Sequence, residues 1–223
     1  MNVKCGVFTP MVIFTRGVLT YNLRNTDKVI NVNIELLMNT RSPDIKSQDI
    51  IQFWFEEITP KQWWIKDQEF DQLLIDRYQG LLAFAVKGEL FSWRDTPLGR
   101  LAEIIVLDQF SRNIYRDDAR AFAADTMALV LSQEAVRLKD YGELSSNQKQ
   151  FLFMPYMHSE SLLIHEEAVK LFDEPGLEGN LDFEHKHKVI IERFGRYPHR
   201  NEILGRDSSD EEKAFLLEPG SSF

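Results

Sequence analysis

The densest chemistry in the chain lies in His185 to Arg206, HKHKVIIERFGRYPHRNEILGR. Lys186, Lys188, Arg193, Arg196, Arg200 and Arg206 share this span with His185, His187 and His199, opposed only by Glu192 and Glu202. A guanidinium binds a carboxylate or phosphate through two parallel hydrogen bonds, so arginines clustered at a loop suit an anion. The same arginines could instead neutralise helix C-termini and pair with acids elsewhere. Gly195, Pro198, Asn201 and Gly205 punctuate the stretch, and a merely solvated charged loop would have no need of them.

Two further clusters could work with this one. In Leu107 to Arg116, LDQFSRNIYR, Asp108 and Arg112 stand four apart, share a helix face and can pair. Arg112, Asn113 and Arg116 crowd within about one turn, which fits either a structural ion pair at a helix end or a ligand site. In Phe151 to Glu160, FLFMPYMHSE, His158 follows Pro155 by three residues. An imidazole titrates near neutral pH, so His158 or His199 could move a proton, oriented by Asp108 or Glu160. Metal binding is not expected. His158 and His165 are seven apart, and the HExxH pattern is absent. No phosphate-binding glycine loop or nucleophile elbow is present, and no cofactor is implied. Trp54, Trp63 and Trp64, with Phe53 and Phe55, read as core.

Helices must position these groups. Ser47 can cap a helix over Gln48–Glu57, and Thr59-Pro60 opens another with proline at its first position. Asp67 caps a helix carrying Phe70, Leu74, Tyr78, Leu81 and Leu82, with Gly88 at its end. Thr96-Pro97 starts a strongly apolar helix through Leu101, Ile104, Ile105 and Phe110 to Ile114. Asp117 or Asp118 caps the next, Ala119–Lys139, closed by Gly142. Asn147 opens a long helix to Phe172, which Pro155 should kink or divide. A helix of Phe183–Phe194 ends at Gly195 and turns His187, Ile191 and Phe194 to one side. Ser209 with Glu212 forms a capping box for a last helix, Asp210–Leu217. These spacings predict an all-α chain of about eight helices in antiparallel pairs.

Residues 1–42 read differently. They show scattered β-branched residues, no clear helical or alternating period, and a slight basic excess. They are expected to be a weakly structured extension, with Met38 as an alternative start, ahead of one helical domain over 43–223. The full chain has 223 residues and a formal net charge of −9. That charge argues against nucleic acid or an anionic membrane as partner, since a phosphate backbone demands cations. Cys5 is the lone cysteine, which excludes an intramolecular disulfide and fits a reducing, cytoplasmic setting. No apolar run is long enough for a membrane span.

LDQFSRNIYR, AFAAD, FLFMPYMHSE and HKVIIERFGRYPHRNEILGR, in that order, with WFEEITPKQWW ahead of them, resemble an uncharacterised, mainly bacterial family, domain of unknown function 924. The resemblance covers residues 47–218 and implies a tetratricopeptide-repeat-like (TPR-like) α–α superhelix. It carries no activity. The motif positions fall on Asp108, Gln109, Arg112, Asn113, Arg116, Asp125, His158, Ser159, Glu160, His187, Arg193, Gly195, Arg196, Pro198, His199, Arg200, Asn201 and Arg206. Three functions follow as expectations. An Arg/His-lined groove could bind an anionic small molecule or acidic peptide. The same groove could belong to an enzyme with His158 or His199 as general acid or base. The charges could form a purely structural network in a scaffold. Binding requires Arg112, Arg193 and Arg196 to line one open pocket, whereas a scaffold requires them paired and closed off. Oligomeric state has no signature in the chain.

Overall fold

Helix starts are set by side chains that satisfy the free N–H groups of a first turn. Asp67 accepts from the Glu69 and Phe70 amides, Thr96 from Gly99, Ser145 from Gln148, and Ser209 from Glu212. The computed structural model describes residues 11–15, 18–22, 29–33 and 44–222. The chain divides into two units between Pro43 and Asp44.

In the first unit three five-residue strands, β1 (Met11–Thr15), β2 (Val18–Asn22) and β3 (Val29–Asn33), pair antiparallel in the order β1-β2-β3. Ile13 stands opposite Thr20, and Thr20 opposite Asn31. The sequence showed no period here because five residues give too few repeats for alternation to stand out. The proposed start at Met38 lies outside the described residues.

In the second unit all regular structure among the described residues is helical. Eight helices occur: α1 (Ser47–Gln52, continued by a π turn, Phe53–Glu57), α2 (Gln68–Ala85), α3 (Pro97–Ile105, a π turn Val106–Phe110, then Ser111–Ile114), α4 (Asp125–Leu138), α5 (Ser146–Met157), α6 (Leu162–Phe172), α7 (Glu178–Phe194) and α8 (Asp210–Phe215). Short 3₁₀ turns, Pro60–Trp63, Phe91–Asp95, Ala119–Phe122 and Pro198–Arg200, join them.

Helix α3 is the centre. Every residue from Gly99 to Ser111 is buried, and α1, α2, α4 and α5 all pack on it. A helix buried on all sides must be apolar nearly all round, which Leu101, Ile104, Ile105, Val106, Leu107 and Phe110 provide. Around it Trp54 lies 5.6 Å from the Phe110 ring and 5.4 Å from Phe151. Ile190, Ile191 and Tyr197 form a separate small core against Phe194 and Phe215.

Several boundaries differ from the sequence expectation, among them the start of α7 at Glu178 rather than Phe183. The Lys46 amide donates to the Asp49 carboxylate at 2.7 Å, so Lys46 rather than Ser47 is the N-cap of α1. Asp118 caps only the 3₁₀ turn, and α4 begins later, at Asp125. Lys139, in the left-handed region at φ 57°, closes α4 in place of Gly142. The long helix is divided, as Pro155 predicts: α5 carries Pro155 and stops at Met157, and α6 begins at Leu162. Pro155 cannot donate to the carbonyl four residues earlier, which weakens the last turn. His158, Ser159 and Glu160 therefore stand on a bend between two helices.

Candidate functional site

The π turn of α3 puts Asp108 inside the molecule, 1% exposed, facing the bend after α5. Its Oδ1 lies 2.7 Å from His158 Nδ1 and 3.1 Å from an Arg112 terminal nitrogen. Its Oδ2 accepts from Gln109 Nε2 at 2.5 Å. Burial opposes the charge on Asp108, but Arg112 and His158 outweigh it and hold the carboxyl well below the usual range. An ionised Asp108 accepts hydrogen bonds and cannot donate, so His158 carries its ring hydrogen on Nδ1 when neutral. Nε2 then presents its lone pair, and it makes no hydrogen bond among the described residues. Burial and the nearby Arg112 charge push His158 below the ordinary histidine value, while Asp108 pulls it back.

Arg112 also donates to the Asp108 carbonyl at 2.6 Å and to Asp125 Oδ2 at 3.0 Å. Arg200 reaches the same Asp125 oxygen at 3.2 Å, with its guanidinium against the rings of Phe122 and Tyr197. One carboxylate therefore joins the LDQFSRNIYR helix to the turn after α7. Burial and Arg112 hold the Arg200 pKa below its ordinary value.

A pocket of about 280 Å³ opens beside this group, walled by Ala119, Phe122, Asp125, Thr126, Leu129, Pro155, His158, Ser159, Glu160, Arg200 and Leu204 among others. Its volume is at the small end for ligand sites. Arg200 Nε is buried with no hydrogen bond among the described residues, and the wall mixes apolar groups with Asp125, Thr126, Ser159 and Glu160 beside the His158 ring and the Arg200 guanidinium. A larger concavity, about 570 Å³, lies between Arg94, Arg100 and α4. Its arginines pair with Glu103, Asp140 and Glu134, and no histidine approaches. The smaller pocket is the one with chemistry.

Other residues singled out from the sequence lie elsewhere. Arg193 and Arg196 do not line the pocket, contrary to the arrangement a single groove requires. Arg193 pairs with Glu211 at 2.9 Å, and Arg196 with Glu212 at 2.6 and 2.8 Å. Both acids belong to α8, a helix too far along the chain for spacing to link it to α7. Arg116 forms two bonds to Asp71, at 2.5 and 2.7 Å, and one to Asn113, whose amide donates to the Gln109 carbonyl. Arg206 grips Glu160 at 2.6 and 2.9 Å, which leaves Asp108, not Glu160, to orient His158. His187 donates Nδ1–H to the Phe183 carbonyl, with its ring 5.8 Å from that of Tyr197, and the His199 ring lies 5.4 Å from the same tyrosine. Neither lines the pocket. Asn201 is fully buried and donates to Ser208 Oγ at 3.0 Å, fixing the loop. Among the described residues no three His, Cys, Asp or Glu side chains converge as metal ligands.

Phe122, Asp125, Tyr197 and Glu184 escaped selection as site residues. Asp125 stood in the AFAAD motif, but its part as a bridge between two arginines 88 residues apart depends on tertiary folding.

The family described as bacterial protein of unknown function (DUF924) matches residues 50–220. A solved structure, that of a protein of unknown function, ATU0120, from Agrobacterium tumefaciens, is similar at 34% identity with a TM-score of 0.73, over 77% of this chain and 96% of that one. No curated protein matches. The match over most of the helical unit, in sequence and in structure, means that this chain belongs to the bacterial family DUF924.

Proposed function

We propose that the pocket beside Asp108 and His158 binds a small molecule with an anionic group, and that His158 accepts a proton within it. The observation that carries this reading is the 2.7 Å contact between a 1% exposed carboxylate and a ring that also walls a pocket. A neutral imidazole anchored through Nδ1 has its Nε2 lone pair fixed in direction, which is the requirement for a general base. Arg200 supports an anionic group, since its remaining nitrogen edge suits a carboxylate or phosphate oxygen. Arg116, Arg193 and Arg196 are paired away from the pocket and serve the architecture in this reading.

A thermal-shift screen of phosphorylated and carboxylated metabolites tests it. A ligand at a hundredfold excess over its Kd should stabilise the protein by about 2.7 kcal/mol. The shift should vanish in Arg200→Gln, where Asp125 keeps Arg112 as partner. His158→Ala should keep the ligand shift within about twofold in affinity while removing any turnover of that ligand. If no anion shifts the wild type, or if Arg200→Gln shifts as the wild type does, the pocket is not an anion site.

A further inference from the structure

The backbone on both sides of His158 is held by a cluster buried behind it. Tyr197, with no exposed surface, donates its hydroxyl hydrogen to the Met157 carbonyl at 2.6 Å. His165, equally buried, places Nε2 2.8 Å from the Ser159 carbonyl. The residues immediately before and after His158 are thus fixed through their carbonyl oxygens. The Tyr197 amide donates to Glu160 Oε1 at 2.8 Å, which ties down the next residue as well.

The state of His165 follows from its partners. A carbonyl only accepts, so Nε2 must carry hydrogen to bond Ser159. Tyr197 Oη, 3.2 Å from Nε2, has its own hydrogen committed to Met157 and can only accept here. On the other side Nδ1 lies 2.6 Å from Glu184 Oε1, so a second proton sits between ring and carboxyl. Whichever atom holds that proton, Nε2–H is preserved and stays aimed at Ser159. Glu184 is fully buried on α7, and its Oε2 has no partner among the described residues. His165 is on α6 and Tyr197 follows α7, so the clamp draws three parts of the chain onto one bend.

We propose that His165, Glu184 and Tyr197 are positioning residues: they lock the Met157–Glu160 bend so that the His158 ring meets Asp108 through Nδ1 and the pocket through Nε2. None of the three walls the pocket; Tyr197 and His165 act through the backbone, and Glu184 acts through His165. The proposal rests on His158 being the proton acceptor described above.

The test is ¹⁵N NMR of the imidazole nitrogens in the full chain without ligand, which needs no knowledge of the reaction. In the wild type His158 Nδ1 should be protonated and Nε2 bare at neutral pH, and His165 Nε2 should be protonated. Tyr197→Phe removes one oxygen and keeps the ring. His165→Phe keeps a ring in the same space and removes the Nε2–H donor to the Ser159 carbonyl. Each should lower the ratio of the Nδ1–H to the Nε2–H form of His158 about tenfold, the equivalent of ~1.4 kcal/mol. Leu82→Val, a core change in α2, should lower stability and leave that ratio unchanged. If wild-type His158 carries its hydrogen on Nε2, the proton-acceptor reading itself fails. If the wild type behaves as stated and both variants keep its ratio, the positioning role is overturned and the acceptor reading stands. A bare His165 Nε2 in the wild type overturns the clamp without any variant.

Discussion

A carboxylate as enclosed as Asp108 keeps its charge only because cations and donors surround it. Arg112, His158 and Gln109 all point at it, and they outweigh the loss of water. The histidines nearby have the opposite problem. Burial pushes His199 down to about 4 and His187 to about 3, so both rings are neutral in the fold. The unfolded chain protonates them near 6.5, so between that value and the depressed ones it binds more protons than the fold. These two rings therefore lower stability as pH falls from about 6.5, each by up to ~1.4 kcal/mol per pH unit. Glu184, raised by burial, works in the other direction as it takes up a proton. Comparing wild type with His199→Gln by urea unfolding at pH 7.5, 6 and 5 isolates one ring. The variant should lose less stability on acidification, and equal slopes would show that His199 is not held neutral. At this scale the sequence was half legible. Asp108, Arg112 and His158 stood out by type and spacing, but the choice of Asp108 over Glu160 was not readable. Glu160 is two residues from His158 and Asp108 fifty, and only the fold gives the distant acid to the ring and the near one to Arg206.

At the scale of the element, local chemistry was readable and competition between neighbours was not. Asp67, Thr96 and Ser209 cap the helices they were expected to cap, and Gly195 ends α7 at φ 66°. Each depends on hydrogen bonds within four residues. The π turn at Val106–Phe110 has no such local signal, although it carries Asp108 and Gln109. The extra residue it accommodates shifts the face of α3, which is a common device where a helix serves a site. The divided helix shows the same limit: Pro155 predicted a break, but the bend falls after Met157, where the Tyr197 and His165 clamp holds it. Two glycines make a sharp test of how helices are packed. Gly80 lies exposed in α2, and a methyl group there would meet nothing within 4 Å. Gly80→Ala should stabilise by about 0.5–1 kcal/mol. At Gly99 the same methyl would sit 1.8 Å from the Trp93 carbonyl oxygen, a rigid backbone atom. Gly99→Ala should cost about 2 kcal/mol despite alanine's helix preference, because the 3₁₀ turn Phe91–Asp95 must move off α3. Thermal melts of the two variants should move in opposite directions.

For the whole molecule, the cationic stretch resolves into links between distant parts of one charge network. Arg200 ties the turn after α7 to α4, Arg206 ties the loop to the His158 bend, and Arg193 and Arg196 tie α7 and the residues after it to α8. The basic composition of that stretch was readable, but its partners were not, since an acid anywhere along 223 residues could have served. No helix among the described residues is long and apolar enough to cross a membrane. The helical unit also has a centre and an edge. α3 is enclosed by four helices, whereas α8 is six residues long and is held by the contact of Phe215 with Phe194 and by its two acids. Glu212 is 3% exposed, both its oxygens face Arg196, and Arg196 holds its carboxyl well below the usual range. Such an edge element opens locally at far lower free energy than the core. Arg196→Ala leaves a buried acid without its cation, so α8 should detach more often while α3 and the pocket stay closed. Hydrogen exchange should show the amides of Asp210–Phe215 speeding up about tenfold or more, with those of Leu101–Phe110 unchanged. The His158 ring nitrogens should keep their wild-type protonation in the same variant. If exchange rises across α3 as well, Arg196 supports the whole helical unit and the division between latch and site is wrong.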